Sequence, residues 1–278
     1  MLRLLTIEFN KLRYSKSAKV LTISYFVLLT FIALIASIEF NFGDVQVRIA
    51  DQGIFNFPFI WHFNTYIAAA LKFFLAVVIV SMMSNEYSNR TIKQNLIDGL
   101  SKKEFVLSKF ITVVVFAAIS TLFILVMTLI LGFSFSDYTE MSIVFSDLEF
   151  LAGYFFKLVG FFSFCLFLGM LVKRSAFALG FLFVWYILEN IVYALLKWKV
   201  FKGTDTGDHI AQFFPLESMS NLINRPWERL NFVQSAANQL KADIGIDYAV
   251  HWYEIVIVCT WIFLFIWGSY ALLKKRDL

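Results

Sequence analysis

Asn85-Glu86-Tyr87-Ser88-Asn89-Arg90-Thr91-Ile92-Lys93-Gln94-Asn95-Leu96-Ile97-Asp98-Gly99-Leu100-Ser101-Lys102-Lys103-Glu104-Phe105 is the polar stretch on which the fold turns. It lies between two apolar blocks, Ile60–Ser84 and Phe105–Phe133. Ile92, Leu96, Ile97 and Leu100 recur at helical spacing, which predicts a short amphipathic helix. Asp98-Gly99 then supplies a stop, because glycine readily takes the left-handed conformation that ends a helix. Ser101 and Glu104 are spaced as a capping box at the start of the next block, with Leu100 and Phe105 at the positions of a hydrophobic staple. The segment reads as helix, sharp turn and helix, with a charged surface. An ordinary loop is the plainer reading, but a connector needs no structure this well specified, whereas a docking element does.

Working outward, the chain has 278 residues, of which 60% are apolar, with a mean hydropathy of +0.74. Soluble domains are about 45–50% apolar. The excess falls into blocks of about 20 residues, the length a helix rising about 1.5 Å per residue needs to cross about 30 Å of hydrocarbon. The 34 phenylalanines suit lipid-facing and helix-packing surfaces. The predicted spans are about 20–40, 60–84, 105–133, 150–172, 176–197 and 251–273. Barrel strands would be shorter and alternating. The expectation is a single all-α polytopic domain over 1–278, with six transmembrane helices and an interfacial helix over 1–19. The run after the basic N-terminus is too long for a signal peptide and lacks a clean cleavage site, so it reads as a first span that is retained.

Lysine and arginine placement sets the orientation. Arg3, Lys11, Arg13, Lys16 and Lys19 precede the first span, and Arg90, Lys93, Lys102 and Lys103 lie in the second loop. Lys173 and Arg174 make up almost all of the fourth loop, and Lys274, Lys275 and Arg276 follow the last span. The first loop holds Arg48 alone, and the third has no basic residue but carries Asp137, Glu140, Asp147 and Glu149. Both termini and the second loop are therefore expected in the cytoplasm. Trp61, Trp198 and Trp252 fall where spans two, five and six should reach the outer interface, which indoles favour. The first 17 residues place Leu2, Leu5, Phe9 and Leu12 on one stripe, with Arg3, Lys11 and Arg13 elsewhere. That pattern suits a helix lying along the inner membrane surface, or a simpler basic tail that sets topology.

The loop Asn85-Glu86-Tyr87 … Thr91-Ile92-Lys93-Gln94 … Asp98-Gly99-Leu100-Ser101 resembles the corresponding loop of ABC-2-type permeases, the membrane subunits of ATP-binding-cassette exporters. The start Met1-Leu2-Arg3-Leu4-Leu5 with Glu8, Lys11 and Leu12 is similar to that family's interfacial helix, and Lys274-Lys275-Arg276-Asp277-Leu278 to its basic ending. Pro215–Leu222 also fits, and the general appearance is nearest to bacitracin-resistance and sodium-exporter permeases. The resemblance implies a permease pair with two separate ATPase subunits beneath it, in the bacterial cytoplasmic (inner) membrane. The second loop would be the coupling helix, with Glu86, Tyr87, Thr91, Lys93, Asp98, Gly99 and Ser101 as the candidate coupling residues. ATP and magnesium would bind the partner ATPase. This chain carries no Gly-x-x-x-x-Gly-Lys-Ser/Thr phosphate loop and implies no cofactor of its own.

Residues 198–250 form a long extracytoplasmic loop with apolar pieces too short to span, expected as re-entrant or interfacial helices. Its stretch 203–208 lacks calcium-ligand spacing and reads as a turn. Lys72, Lys157 and Glu189 fall inside spans, where a central charge costs on the order of 2.5–3.5 kcal/mol. Lys72 and Glu189 are expected to face the bundle interior, toward each other or a substrate path, while Lys157 should snorkel outward. Cys165 and Cys259 read as buried packing residues. His62, His209 and His251 form no metal cluster and read as interface residues. No catalytic grouping stands out, and topology accounts for the basic residues without nucleic acid. Two alternatives remain: an ion-coupled secondary transporter, for which internal repeats or interrupted helices would be expected, and a scaffold subunit that moves no solute.

Overall fold

A computed structural model describes residues 2–42, 45–202, 204–240 and 247–276; Gly203, Asp277 and Leu278 lie outside the described residues. Helix α1 (Leu2–Tyr14) is separated from α2 (Lys16–Ser37) by Ser15, whose hydroxyl accepts from the Ala18 amide as an N-cap. The interfacial helix is thus shorter than 1–19, because a serine with extended backbone starts a new helix there. A small antiparallel hairpin, β1 (Glu39–Phe42) and β2 (Val45–Arg48), follows α2 and is a minor exception to the all-helical architecture.

The second predicted span is not one straight helix. It divides into α3 (Phe59–Ala70) and α4 (Phe73–Ser88), bent by 44° at Leu71–Lys72. An interrupted helix was not expected. The short α5 (Thr91–Ile97) leads into α6 (Lys102–Phe135), whose 34 residues span about 50 Å at 1.5 Å per residue. The remaining helices are α7 (Met141–Val144), α8 (Glu149–Val172), α9 (Ser175–Leu195, continued by a π-helical turn Leu196–Val200), α10 (Thr206–Ala211), α11 (Pro215–Asn221), α12 (Asn231–Leu240) and α13 (Trp252–Lys275). Helices α2, α6, α8, α9 and α13 are each long and apolar enough to cross a membrane, and the bent pair α3–α4 makes a sixth candidate.

Helix α8 is the centre of the bundle. Burial covers 72% of its apolar window, against 33% for α6, 22% for α2, 17% for α13 and 11% for α9. Without water between helices, such packing rests on close side-chain fit. One contact is unusually tight: the buried Phe57 ring lies over Gly132, where an added Cβ would come within 2.2 Å of it. Gly132→Ala is therefore expected to destabilise the protein by about 1–3 kcal/mol through overpacking. Phe57→Leu in the same chain should recover much of the loss. Thermal unfolding in detergent would measure both.

The bundle has two chemically distinct ends. At one, hydrogen bonds join the basic segments: Lys102 Nζ donates to the Arg276 carbonyl at 2.9 Å, and the Ser84 hydroxyl to the Lys173 carbonyl at 3.2 Å. At the other, Trp61 Nε1 donates to the Val144 carbonyl at 2.7 Å, and Asn56 Nδ2 to Asp137 at 3.0 Å. Trp61 and His62 are fully buried within the bundle, where the carbonyls of Val144 at the end of α7 and of Asn224 take their ring nitrogens. Trp198 and Trp252 are exposed. Cys165 is buried, but Cys259 lies on an exposed face of α13.

Candidate coupling site at the basic end

The turn after α5 forms from local chemistry. Gly99 has φ 95°, its amide donates to the Leu96 carbonyl, and the Leu100 amide donates to the Asn95 carbonyl. These paired bonds are a Schellman closure, which satisfies the last carbonyls of a helix. The Ser101 hydroxyl then accepts from the Glu104 amide at 3.2 Å, while Glu104 accepts from the Ser101 amide at 3.0 Å. This completes the predicted capping box, and hydrogen bonds from Ser101 hold the Glu104 carboxyl below its ordinary pKa. Beyond it Phe105 is buried.

The predicted apolar stripe is only partly covered. Ile92 is buried and Leu96 and Leu100 are half-buried, but Ile97 is 75% exposed. Lys93 and Asp98 are exposed beside it. The tip of the turn therefore offers an apolar side chain ringed by charge.

Glu86 is not on that surface. It is 3% exposed and accepts from Lys109 Nζ at 2.6 Å and from Lys11 Nζ at 2.8 Å. Lys109, fully buried, also pairs with Glu8, and Lys11 lies 3.3 Å from Glu8. The Thr91 hydroxyl bonds the second Glu86 oxygen, which ties the start of α5 into the network. Two carboxylates and two ammonium groups thus join α1, α4, α5 and α6 with no formal excess charge. Burial opposes the charge on Lys11, but its bond to Glu86 and the charges of both carboxylates prevail, so its pKa is raised. Tyr87, the other candidate before α5, accepts from Arg276 at 2.9 Å.

Sequence reasoning missed Lys109 and Glu8. Lys109 sits inside the third predicted span, where any ionisable residue is a signal in its own right. Its partner could not be read from spacing, since Glu8 lies 101 positions away.

Lys72 and Glu189 are not brought together. Lys72 stands at the α3–α4 break, with its ammonium 4.5 Å above the Phe161 ring. Glu189 instead caps α11: one carboxylate oxygen accepts from the Leu216 and Glu217 amides at 2.8 and 2.7 Å, and the other from Trp185 Nε1 at 2.9 Å. Lys157 does not snorkel outward. It is 4% exposed, and its ammonium donates to the Ser220 and Ile223 carbonyls at 3.2 and 3.4 Å. An acid at the start of α11 and a base at its end both complement the helix dipole. Lys157 lies about 12 Å along α8 from Glu149 at 1.5 Å per residue, so the end of α11 packs beside α8 rather than beyond its first turn. The loop that follows is pinned by His62, which bonds the Asn224 carbonyl at 2.8 Å and stacks on Phe150 at 4.3 Å.

Among the described residues, no group of three or more His, Cys, Asp or Glu side chains could hold a metal ion. Asp208, in the stretch read as a turn, lies in the first turn of α10 and pairs with Lys197 at 3.0 Å. The arrangement links an exposed, capped turn to several helices through buried charge pairs. No curated protein matches the chain significantly. The family model for ABC-2 family transporter proteins matches residues 2–278, nearly the whole chain, and the chain belongs to that family.

Proposed function

We propose that this chain is the permease subunit of an ATP-driven exporter. It would sit in a bacterial inner membrane with both termini cytoplasmic, and two permease copies or a related pair would form the pathway. A separate ATP-binding-cassette ATPase, carrying ATP and magnesium, would dock against residues 85–104. Exposed Lys93, Ile97 and Asp98 would meet the ATPase. Gly99 and Ser101 would fix the turn, and Glu86, Tyr87 and Thr91 would hold it to the bundle. The observation that carries this reading is the capped turn at the basic end, anchored from below by the Glu8–Lys11–Glu86–Lys109 network.

The test uses the phosphate-loop ATPase that this reading expects to be encoded beside the gene. Co-expressed with it, the wild-type chain should retain the ATPase through purification. Ile97→Glu should weaken that association at least about tenfold, since a buried aliphatic contact contributes roughly 1.5–3 kcal/mol. A wild-type chain that never retains the ATPase would count against the proposal.

One observation favours a second reading. The α3–α4 break with Lys72 beside it is the kind of interrupted helix found at ion sites of secondary transporters. Transport that collapses on dissipating the proton or sodium gradient, while ATP is held constant, would support that alternative.

A further inference from the structure

The basic segment after α13 reads from sequence as a topogenic tail, but Arg276 is not a solvated charge. Its guanidinium donates to the Met170 and Leu171 carbonyls, which are the free carbonyls near the C-terminal end of α8. The same group donates to the Tyr87 hydroxyl at 2.9 Å and lies 5.7 Å from the centre of the Tyr87 ring. The Arg276 carbonyl in turn accepts from Lys102 Nζ at 2.9 Å, and the Lys274 carbonyl accepts from it at 3.4 Å. Tyr87 lies in the last turn of the helix before α5, and Lys102 opens the helix after it. Both flanks of α5 are thus held by one residue, which also caps the most buried helix of the bundle.

A guanidinium is suited to this position. It presents five donors in a planar fork, so it reaches several acceptors at once, and it stacks on an aromatic face. A lysine offers one compact ammonium. The cation also sits at the negative end of the α8 dipole, where positive charge is favoured.

We infer that Arg276 is a positioning residue that locks the α5 turn to the C-terminal end of α8, so that the turn and the core helix move together. This rests on the proposed coupling role of residues 85–104, and it says which helix receives the force. The lock adds a second anchor to the charge network. Glu8, Lys11 and Lys109 hold the turn toward α1 and α6, and Arg276 holds it toward α8 and α13.

The test is read on the chain alone, in lipid nanodiscs, by amide hydrogen exchange. Arg276→Ala should raise exchange over residues 89–101 by about tenfold, the effect expected from losing one charge-assisted hydrogen bond. Exchange over residues 150–165, the outer two thirds of α8, should stay within about twofold, because intact helix bonds protect those amides. Arg276→Lys should rescue less than half of the change on a logarithmic scale. Tyr87→Phe should raise exchange in the same segment, and the double variant should show less than the sum of the two effects, because the side chains share one contact while the Tyr87 hydroxyl also donates to the Met170 carbonyl at 3.5 Å. Unchanged exchange over 89–101 in Arg276→Ala would overturn the inference. So would an equal rise throughout α8, which would mean general loosening of the bundle. Full rescue by lysine would overturn the role of the fork. No ATPase is needed, so failure of the ATPase to bind would leave this result standing and bear only on the proposed function.

Discussion

Lys109→Met is expected to destabilise the protein by about 3–5 kcal/mol, the effect of removing one partner from a buried ion pair. Lys109 is fully buried and pairs with both Glu8 and Glu86, which are 5% and 3% exposed. Without it, two buried carboxylates share the half-exposed Lys11. Like charges at such a site oppose each other, and neither is well solvated. Methionine matches the volume of the lysine stem, so packing loss is a minor part of the effect. The charge account makes a further demand: Glu86→Gln combined with Lys109→Met should recover at least about half of the lost stability, since one uncompensated charge is gone. Thermal unfolding in detergent, compared across the wild type and these variants, measures this. An unchanged melting temperature in Lys109→Met would show that the network contributes nothing to the fold.

The second large effect concerns the opposite half of the bundle. Glu189→Ala removes the acceptor for the Leu216 and Glu217 amides and for Trp185 Nε1. Hydrogen bonds to a charged acceptor contribute about 1.5–3 kcal/mol each, and amides left unpaired in an apolar setting add to the loss. The expected result is release of α11 from the bundle, with a penalty of about 2–4 kcal/mol on its docking. Ser218 is 2% exposed on α11, so Ser218→Cys, with Cys165 and Cys259 replaced, serves as a reporter. In the wild-type background that cysteine should resist a membrane-impermeant maleimide, and with Glu189→Ala it should react readily. Glu189→Gln, which keeps one acceptor oxygen, should fall between them. Equal labelling in all three backgrounds would mean that Glu189 does not hold α11.

Both effects involve residues whose type the sequence exposed but whose partners it hid. Local features were legible because they depend on neighbours a few positions apart. The Gly99 closure and the Ser101–Glu104 box formed as their spacing predicted. The long apolar helices were legible because the bilayer requires about 20 apolar residues per crossing. The break at Leu71–Lys72 was not, because Ile67-Ala68-Ala69-Ala70-Leu71 contains neither proline nor glycine to mark it. The azimuth of a residue around its helix was equally hidden. Depth alone suggested that Trp61 and His62 were interface residues and that Cys259 was buried. Packing turned the first two inward and the third outward. Glu86 was recognised as part of the loop that matters, but its burial depends on residues from α1 and α6 that no spacing rule connects. Lys157 and Glu189 each have a backbone partner on α11, a helix of seven residues whose sequence signal was Pro215 and a short apolar run.

In the proposed function, the turn between α4 and α6 is the grip for a separate ATPase. The most direct test of this reading is proximity in native membranes. Cys165 and Cys259 would first be replaced by serine and alanine, and Lys93→Cys or Ile97→Cys introduced singly at the exposed tip. The co-expressed ATPase would carry a photoactivatable crosslinker on its membrane-facing surface. The account predicts a crosslinked permease–ATPase product from positions 93 and 97, and none from a control cysteine at exposed Trp198 near the opposite end. Absence of product from both tip positions, in membranes where the ATPase is bound and active, would contradict the claim. So would crosslinking from Trp198→Cys alone.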